Sequence, residues 1–300
     1  MKKLLVTGST NTDMVVKSPR FPEPGETILG GEFFMFPGGK GANQAVAASR
    51  AGAEVSFIGR VGDDLFGKKA VEGLKAEGID TSHIRVLPGA TSGVALIIVN
   101  REGENKIVVA PGANTAMDAA FLAGKPEIIA RYGLVLTQLE TPLEEVVSLA
   151  GICADQGVPL ILNPAPATQL PDALFARLYM ITPNQSETRL LTGINPTDEA
   201  SAERACQVLQ GKGVREVIIT LGKSGLYYSG SEGSLWIDAE KVEAVDTTAA
   251  GDVFNGILAA CLAKGMALKD ALGRANKGAA LSVTRMGAQT SAPYDHEIQT

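Results

Sequence analysis

Cysteine, histidine and surplus positive charge are all scarce in this chain of 300 residues. Its three cysteines, Cys153, Cys206 and Cys261, are odd in number, far apart and outside any metal-type spacing. They argue against a disulfide framework or a thiolate metal centre, and the simple reading is reduced thiols in a cytoplasmic protein. The two histidines, His83 and His296, are solitary, and a surface position is the default for each. Lys and Arg number 27 against 33 Asp and Glu, a net charge of −6. That balance, with no basic cluster to reverse it, excludes nucleic acid and anionic membrane as principal partners. No window reaches transmembrane length, and the start at Met1 resembles a signal peptide for only a few residues before the polar Ser9–Asp13 stretch. Two familiar phosphate-binding signatures are missing as well. Gly8-Ser-Thr-Asn-Thr-Asp13 stands where a G-x-G-x-x-G element would follow the first strand, and Lys40 is followed by Gly41 rather than Ser or Thr, so there is no P-loop. Any nucleotide is held some other way.

What the chain does have is apolar residues, 45% of the total, enough for one α/β domain with a large core. Short runs rich in β-formers (Leu4–Thr7, Val55–Gly59, Leu134–Gln138, Pro159–Leu162, Val217–Thr220) alternate with longer helical patterns (Ala42–Ala51, Phe66–Glu77, Leu143–Gln156, Ala200–Gly211). The alternation predicts a doubly wound, mainly parallel sheet covered on both faces, with ligands at the C-terminal strand ends. Two segments break the rhythm. Residues 15–37 have no helical period, and Gly93–Asn100 with Asn105–Ala110 reads as a hairpin around Arg101-Glu-Gly-Glu104. Phe33, Phe34, Ile97 and Val99 in these pieces are apolar residues that would close over a ligand or pair with another subunit; on local grounds alone an ordinary edge hairpin explains them better.

The most informative stretch is Asp246-Thr-Thr-Ala-Ala-Gly251-Asp252, which runs into the apolar helical pattern Val253–Ala263. A helix start leaves backbone N–H groups unpaired and carries partial positive charge, so small residues there (Ala249, Ala250, Gly251) let an anion approach closely. Asp252, in the first turn, is a candidate general base for a hydroxyl attacking a bound phosphate. The helix dipole would favour its ionised form and make it a weak base at rest. A plain capping Asp is the local alternative. Pro37-Gly-Gly-Lys-Gly-Ala-Asn-Gln-Ala45 is a second glycine-rich turn entering a helix, with Lys40 and Asn43 as donors to hydroxyls. Asn11 and Asp13 follow the first strand, where Asp can accept from two adjacent sugar hydroxyls, although both are also ordinary turn formers. Asn184 and Glu187 fit a capping box at a helix start.

Together these segments resemble the ribokinase-type (PfkB-type) carbohydrate kinases. The likeness runs through Gly8–Asp13, Pro24–Thr27, Gly38–Ala45, Gly59–Asp63, Gln138–Glu140 and Asn163–Pro166. It continues with Thr182–Glu187, Thr220–Gly222, Asp246–Asp252 and Val283–Ala288, all in the family's order. The resemblance implies a ribokinase-like three-layer fold over 1–300 as a single domain, with a small β-sheet lid from segments about 14–37 and 92–111. It implies transfer of the γ-phosphate of MgATP to the 5-hydroxyl of D-ribose, and a homodimer formed through the lid. Residue by residue, it assigns Asn11, Asp13, Gly39, Lys40, Asn43 and Glu140 to the sugar, and Asp252 with the amides of Ala249, Ala250 and Gly251 to catalysis. Asn184, Glu187, Thr220, Gly222, Lys223, Gly225, Gly251 and Asn276 fall to ATP, with Glu187 in the water shell of Mg²⁺. Asp246, Thr248, Ser282, Arg285, Gly287 and Ser291 fall to an activating K⁺, mostly through backbone carbonyls; the last four are expected on the loop after the last long helix. Three rival readings share the fold: a 2-deoxyribose kinase, a nucleoside kinase and a catalytically silent binding regulator. Asn11 argues against the first, the full Gly38–Ala45 segment against the second, and the intact Asp252 turn against the third.

Overall fold

The computed structural model describes residues 2–298. Met1 and residues 299–300, which the expected domain also spans, lie outside the described residues. Apolar runs with β-branched residues become strands, in chain order β1 (Leu4–Thr7), β2 (Asn11–Lys17), β3 (Glu32–Gly38), β4 (Val55–Gly62), β5 (Ile84–Leu87), β6 (Gly93–Val99) and β7 (Asn105–Ala110). They continue with β8 (Leu134–Thr137), β9 (Leu160–Leu162), β10 (Met180–Ile181), β11 (Glu216–Thr220), β12 (Leu226–Gly230) and β13 (Gly233–Ile237). Nine of them form one sheet in the order β13-β12-β11-β10-β9-β8-β1-β4-β5. It is parallel from β5 to β11, and β12 then runs antiparallel to both its neighbours. β1 is the switch point, with β4 on one side and β8 on the other, so a crevice opens at its C-terminal end. The loop that follows it carries Ser9 and leads into β2, whose first residues include Asn11 and Asp13.

The core lies on both faces of this sheet. One face packs Val46, Phe57, Ile257 and Leu272 beneath the helices Lys40–Arg50, Ala250–Ala263 and Leu268–Ser282. The other packs Ile58, Leu149, Cys206 and Val217 beneath the helices Leu143–Gln156 and Glu199–Gly211. Each fully buried aliphatic side chain contributes roughly 1.5–3 kcal/mol. All three cysteines are buried and free.

The helices Lys40–Arg50 and Ala250–Ala263 approach unusually closely because small residues meet. A Cβ at Gly256 would stand 2.7 Å from Ala47 Cβ and 3.0 Å from Ala48 N. The atom nearest that position is Gln44 O, and Asn43 precedes it on one helix as Asp252 lies one turn before Gly256 on the other. Helical periodicity therefore carries the small-residue contact into the site.

The remaining four strands form a separate sheet in the order β3-β2-β6-β7, with β2 parallel to β6 and the outer pairs antiparallel. The expected hairpin is β6–β7. β2 begins at Asn11, earlier than the anticipated start near 14. Of the four apolar residues singled out here, only Phe33 is exposed; Phe34, Ile97 and Val99 are half-buried, and Phe34 stacks on Phe36 at 6.0 Å. Three further strands were not expected from the sequence: the edge strand β5 and the hairpin β12–β13. β10 is a fourth, only two residues long.

Candidate active site

Ala249 caps the helix Ala250–Ala263 in the left-handed region, φ 59°, the one non-glycine residue among those described with a positive φ of this kind. Holding an alanine there costs about 1–2 kcal/mol. The turn it shapes leaves the amides of Ala249, Gly251 and Asp252 with no protein acceptor among the described residues, while Val253 N–H already bonds Ala249 O at 2.9 Å. Gly251 faces open space. The turn borders a cavity of about 170 Å³ that Lys40, Asn184, Glu187, Thr220 and Asp252 also line. Free amides at a helix start, opening on a polar cavity, make an anion cradle.

Asp252 is buried, 4% exposed. Its carboxylate accepts from Asn43 Nδ2 and from Gln44 Nε2, each at 3.0 Å. Gln44 is held in turn by Gln138, whose Nε2 donates to Gln44 Oε1 at 2.6 Å, and its own Nε2 also reaches Asn163 Oδ1 at 3.1 Å. On the far side Asn255 donates to Gly251 O at 2.8 Å and accepts from Thr182 Oγ1 at 2.6 Å, so the start of the helix is fixed to the strand ends. Burial pushes the Asp252 carboxyl above its ordinary range; the Lys40 charge and the bonds from Asn43 and Gln44 act against that. Burial is thus the largest influence on its basicity and acts opposite to the dipole effect expected from its place in the first turn.

On the sugar side, Gly39 (φ 90°) lies against Thr10 and Asn11, where a Cβ would stand 2.6 Å from Asn11 N. Glu140 Oε2 accepts from Ser9 Oγ at 2.5 Å and Lys40 N at 2.9 Å. Asn11 Oδ1 accepts from Asn114 Nδ2 at 2.9 Å, which leaves the Asn11 amide nitrogen to donate elsewhere. Asn43 Oδ1 is buried without a partner, an acceptor that fits a ligand hydroxyl. Lys40 is held above its ordinary pKa chiefly by Asp252, with Glu140, Glu187 and Asp13 adding to it. Burial, Glu140 and Asp252 push Asp13 up to about 6 despite Lys40. All four carboxylates, Asp13, Glu140, Glu187 and Asp252, are near enough to act on the Lys40 charge; of the five charged residues, Lys40, Glu187 and Asp252 line the cavity.

The other assigned residues divide. Asn184 and Glu187 form the capping box of the helix Gln185–Thr192, with Glu187 N–H donating to Asn184 Oδ1 and Asn184 N–H to Glu187 Oε2. They also line the cavity, so the structural and ligand roles are compatible. Burial raises the Glu187 carboxyl, against bonds from Asn184 and the charge of Lys40. Gly222, Lys223 and Gly225 lie in the turn after β11 and Asn276 bonds Asp238 O at 2.8 Å; none of the four borders that cavity. Asp246 accepts from Thr248 N and Gly287 N, each at 2.9 Å, joining the turn before Ala249 to the loop around Gly287. Burial opposes its ionisation, but those bonds prevail and its carboxyl lies below the ordinary range. Ser282 ends the helix Leu268–Ser282 rather than following it. Arg285 pairs with Glu297, and Ser291 Oγ donates to Ala288 O at 2.8 Å. Sequence reasoning assigned no role to Gln44, Asn163, Thr182 or Asn255, although each stands inside a quoted segment, and it missed Asn114 altogether.

A model described as pfkB family carbohydrate kinase matches residues 1–295. The chain is 43% identical over 296 residues to the ribokinase of Haemophilus influenzae, covering 99% of this chain and 97% of that protein. To the deoxyribokinase of Salmonella typhi it is 33% identical over 291 residues, 97% of this chain and 95% of the other. Among solved structures, that of Arabidopsis thaliana ribokinase complexed with ribose and ATP matches with a TM-score of 0.94 at 30% identity, covering 99% of this chain and 97% of that one.

Proposed function

The chain belongs to the pfkB family of carbohydrate kinases, and from that premise we propose that it phosphorylates D-ribose at the 5-hydroxyl with MgATP. It is an ATP-dependent sugar kinase. The observation that carries the chemistry is Asp252: a buried carboxylate beside unpaired amides, next to the unpartnered acceptor Asn43 Oδ1. Asp252 takes the proton of the 5-hydroxyl as its oxygen bonds to the γ-phosphorus and the bond to the β-phosphate oxygen breaks. The free amides of Ala249, Gly251 and Asp252, with Lys40, offset charge on the transferring group. The other amide of the turn, that of Ala250, already bonds Thr247 O at 3.4 Å. Asn11 donates to a sugar hydroxyl because Asn114 occupies its oxygen. A site built to hydrogen-bond a hydroxyl disfavours the analogue lacking it, which supports ribose over 2-deoxyribose. ADP release from MgATP should be fast with ribose, slower with 2-deoxyribose and negligible with nucleosides. Faster turnover of 2-deoxyribose would move the specificity away from Asn11.

Four carboxylates (Asp13, Glu140, Glu187, Asp252) surround a single Lys40, an excess of negative charge that fits a triphosphate arriving with Mg²⁺ rather than bare. Asn184 and Glu187 would hold the phosphates and the ion's waters, and Mg²⁺ supplies positive charge along the triphosphate. Thr220, Gly222, Lys223, Gly225 and Asn276 would contact the rest of the nucleotide.

Asp13 sets an expected pH dependence. It must be ionised to accept from two hydroxyls, and its pKa is raised to about 6. The KM for ribose should therefore rise as pH falls through about 6, by roughly tenfold per unit below it, with the KM for MgATP moving less. A KM for ribose that stays flat from pH 8 to 5 would remove Asp13 from sugar binding.

The Asp246–Thr248 turn and the 282–291 loop are read as a K⁺ site. The supporting feature is the ionised Asp246 joining both segments next to the anion turn. K⁺ should activate more than Na⁺, and equal rates in the two salts would sink this reading. The small sheet is read as the lid of a single domain and as the dimer contact. Its register places Phe33, Met35, Leu96 and Val108 on one exposed face, and Ile107 and Val109 on the other with Asp13. Val108→Asp should shift sedimentation from dimer to monomer; a monomeric parent would exclude the contact. The free, buried cysteines fit a reducing, cytoplasmic setting, which fractionation of cells expressing the tagged chain would check.

A further inference from the structure

Glu145 stands in the first turn of the helix Leu143–Gln156 and is fully buried. Among the described residues, its bonding partners are two hydroxyls: Thr7 Oγ1 donates to Oε1 at 3.2 Å and Thr141 Oγ1 to Oε2 at 2.8 Å. A buried carboxylate without a cation is costly to keep, and an apolar side chain would fill the space at lower cost. Burial pushes this carboxyl up to about 7 against the two bonds. The titratable group facing it is Cys153 on the same helix, itself pushed up to about 12 by burial and by Glu145. The end of β1 and the turn at Thr141 bring hydroxyls to it. Glu140 directs its carboxylate away, to Ser9 and the Lys40 amide.

The two partners say what the group does. Thr7 ends β1, directly before the loop that carries Ser9 and leads to Asn11 and Asp13 in β2, and Thr141 directly follows Glu140. On the ligand side Glu140 joins these two segments through Ser9. On the core side Glu145 joins the same two segments through Thr7 and Thr141.

We propose that Glu145 is a positioning residue for the sugar side of the site, tying the end of β1 to the turn that presents Glu140. This rests on the sugar-kinase reading above. With its carboxyl raised to about 7, Glu145 carries a proton for about half the time near neutrality; that neutral form accepts from one hydroxyl and donates to the other, a complement that glutamine reproduces.

The test is steady-state kinetics on the full chain with ribose and MgATP, comparing the parent with Glu145→Gln, Glu145→Ala and Thr141→Val. The Ala and Val variants should raise the KM for ribose about tenfold, with kcat and the KM for MgATP within about twofold of the parent; Glu145→Gln should stay close to it in all three. Thermal midpoints give a second readout. The folded parent holds this proton up to about pH 7, whereas the unfolded carboxyl releases it near its ordinary value. The parent therefore loses stability between those values as pH rises, so Glu145→Gln should gain on it from pH 5 to pH 8. If Glu145→Ala does not fold, Thr141→Val and Glu145→Gln decide. An unchanged KM for ribose in the Ala and Val variants, or equal damage to the ribose and MgATP parameters, overturns the proposal; Glu145→Gln as impaired as Glu145→Ala overturns the neutral form. A parent inactive on ribose would overturn the functional reading and this inference together.

Discussion

Asp252→Asn is expected to keep the fold and nucleotide binding while losing at least ~10²-fold in turnover, the range of general-base loss. The fold survives because asparagine fills the same space. Its new amide donor would face Asn43 Nδ2 and Gln44 Nε2, but Asn43 can turn its own amide, since Asn43 Oδ1 has no other partner. The substitution also removes a buried charge whose folded pKa is raised. Above its ordinary pKa that ionised carboxyl destabilises the folded state, so the thermal midpoint at pH 7–8 should be unchanged or higher. The decisive pattern is a stable, ATP-binding, nearly inactive protein. A folded variant with near-normal turnover would remove Asp252 from proton transfer.

Gly41→Ala should be nearly as damaging by a different route. A Cβ there would stand 2.7 Å from Gly8 C and Ser9 N and 2.8 Å from Gly8 Cα, all backbone atoms with no freedom to rotate away. Helix propensity favours alanine by ~1 kcal/mol, but overpacking of this kind costs about 1–3 kcal/mol. The displaced helix start carries Lys40, Asn43 and Gln44, three of the groups arranged around Asp252. A shift of about 1 Å in such a group can cost roughly 10²-fold in rate, so kcat/KM for ribose should fall by about that factor, with a modest drop in thermal midpoint. Gly273→Ala is the control, since nothing lies within 4 Å of its Cβ position. Equal activity in the two variants would show that the helix start does not set the catalytic geometry.

The parts legible in the sequence are those written in local patterns. Strands such as Leu4–Thr7 show as short apolar runs between helical patterns, the helix Leu143–Gln156 follows its apolar period, and the turn at Ala249–Asp252 declares itself by small residues before an apolar run. β10 is too short to carry a period, and Leu226, Tyr227 and Tyr228 in β12 are all buried, so no alternation marks that hairpin. The polar network around Asp252 was illegible for a different reason. Gln44 meets Asp252 across 208 positions of chain, and Asn114 meets Asn11 across 103. Neither contact leaves a mark in its own neighbourhood. Glu145, an acidic residue in a helix first turn, looks like a solvated end until sheet packing encloses it. The burial of Asp252 was illegible for the same cause: the helix dipole is local and visible, while burial belongs to the assembled fold.

The most direct test of the central claim, phosphoryl transfer to a sugar hydroxyl, is ³¹P NMR of the purified protein with MgATP and K⁺ in the presence of ribose, 2-deoxyribose or no sugar. A sugar-phosphate resonance coupled to the C5 protons, growing fastest with ribose as ADP accumulates and absent without sugar, is the predicted result. ATP that persists unchanged in all three samples, or that yields only inorganic phosphate, would contradict it.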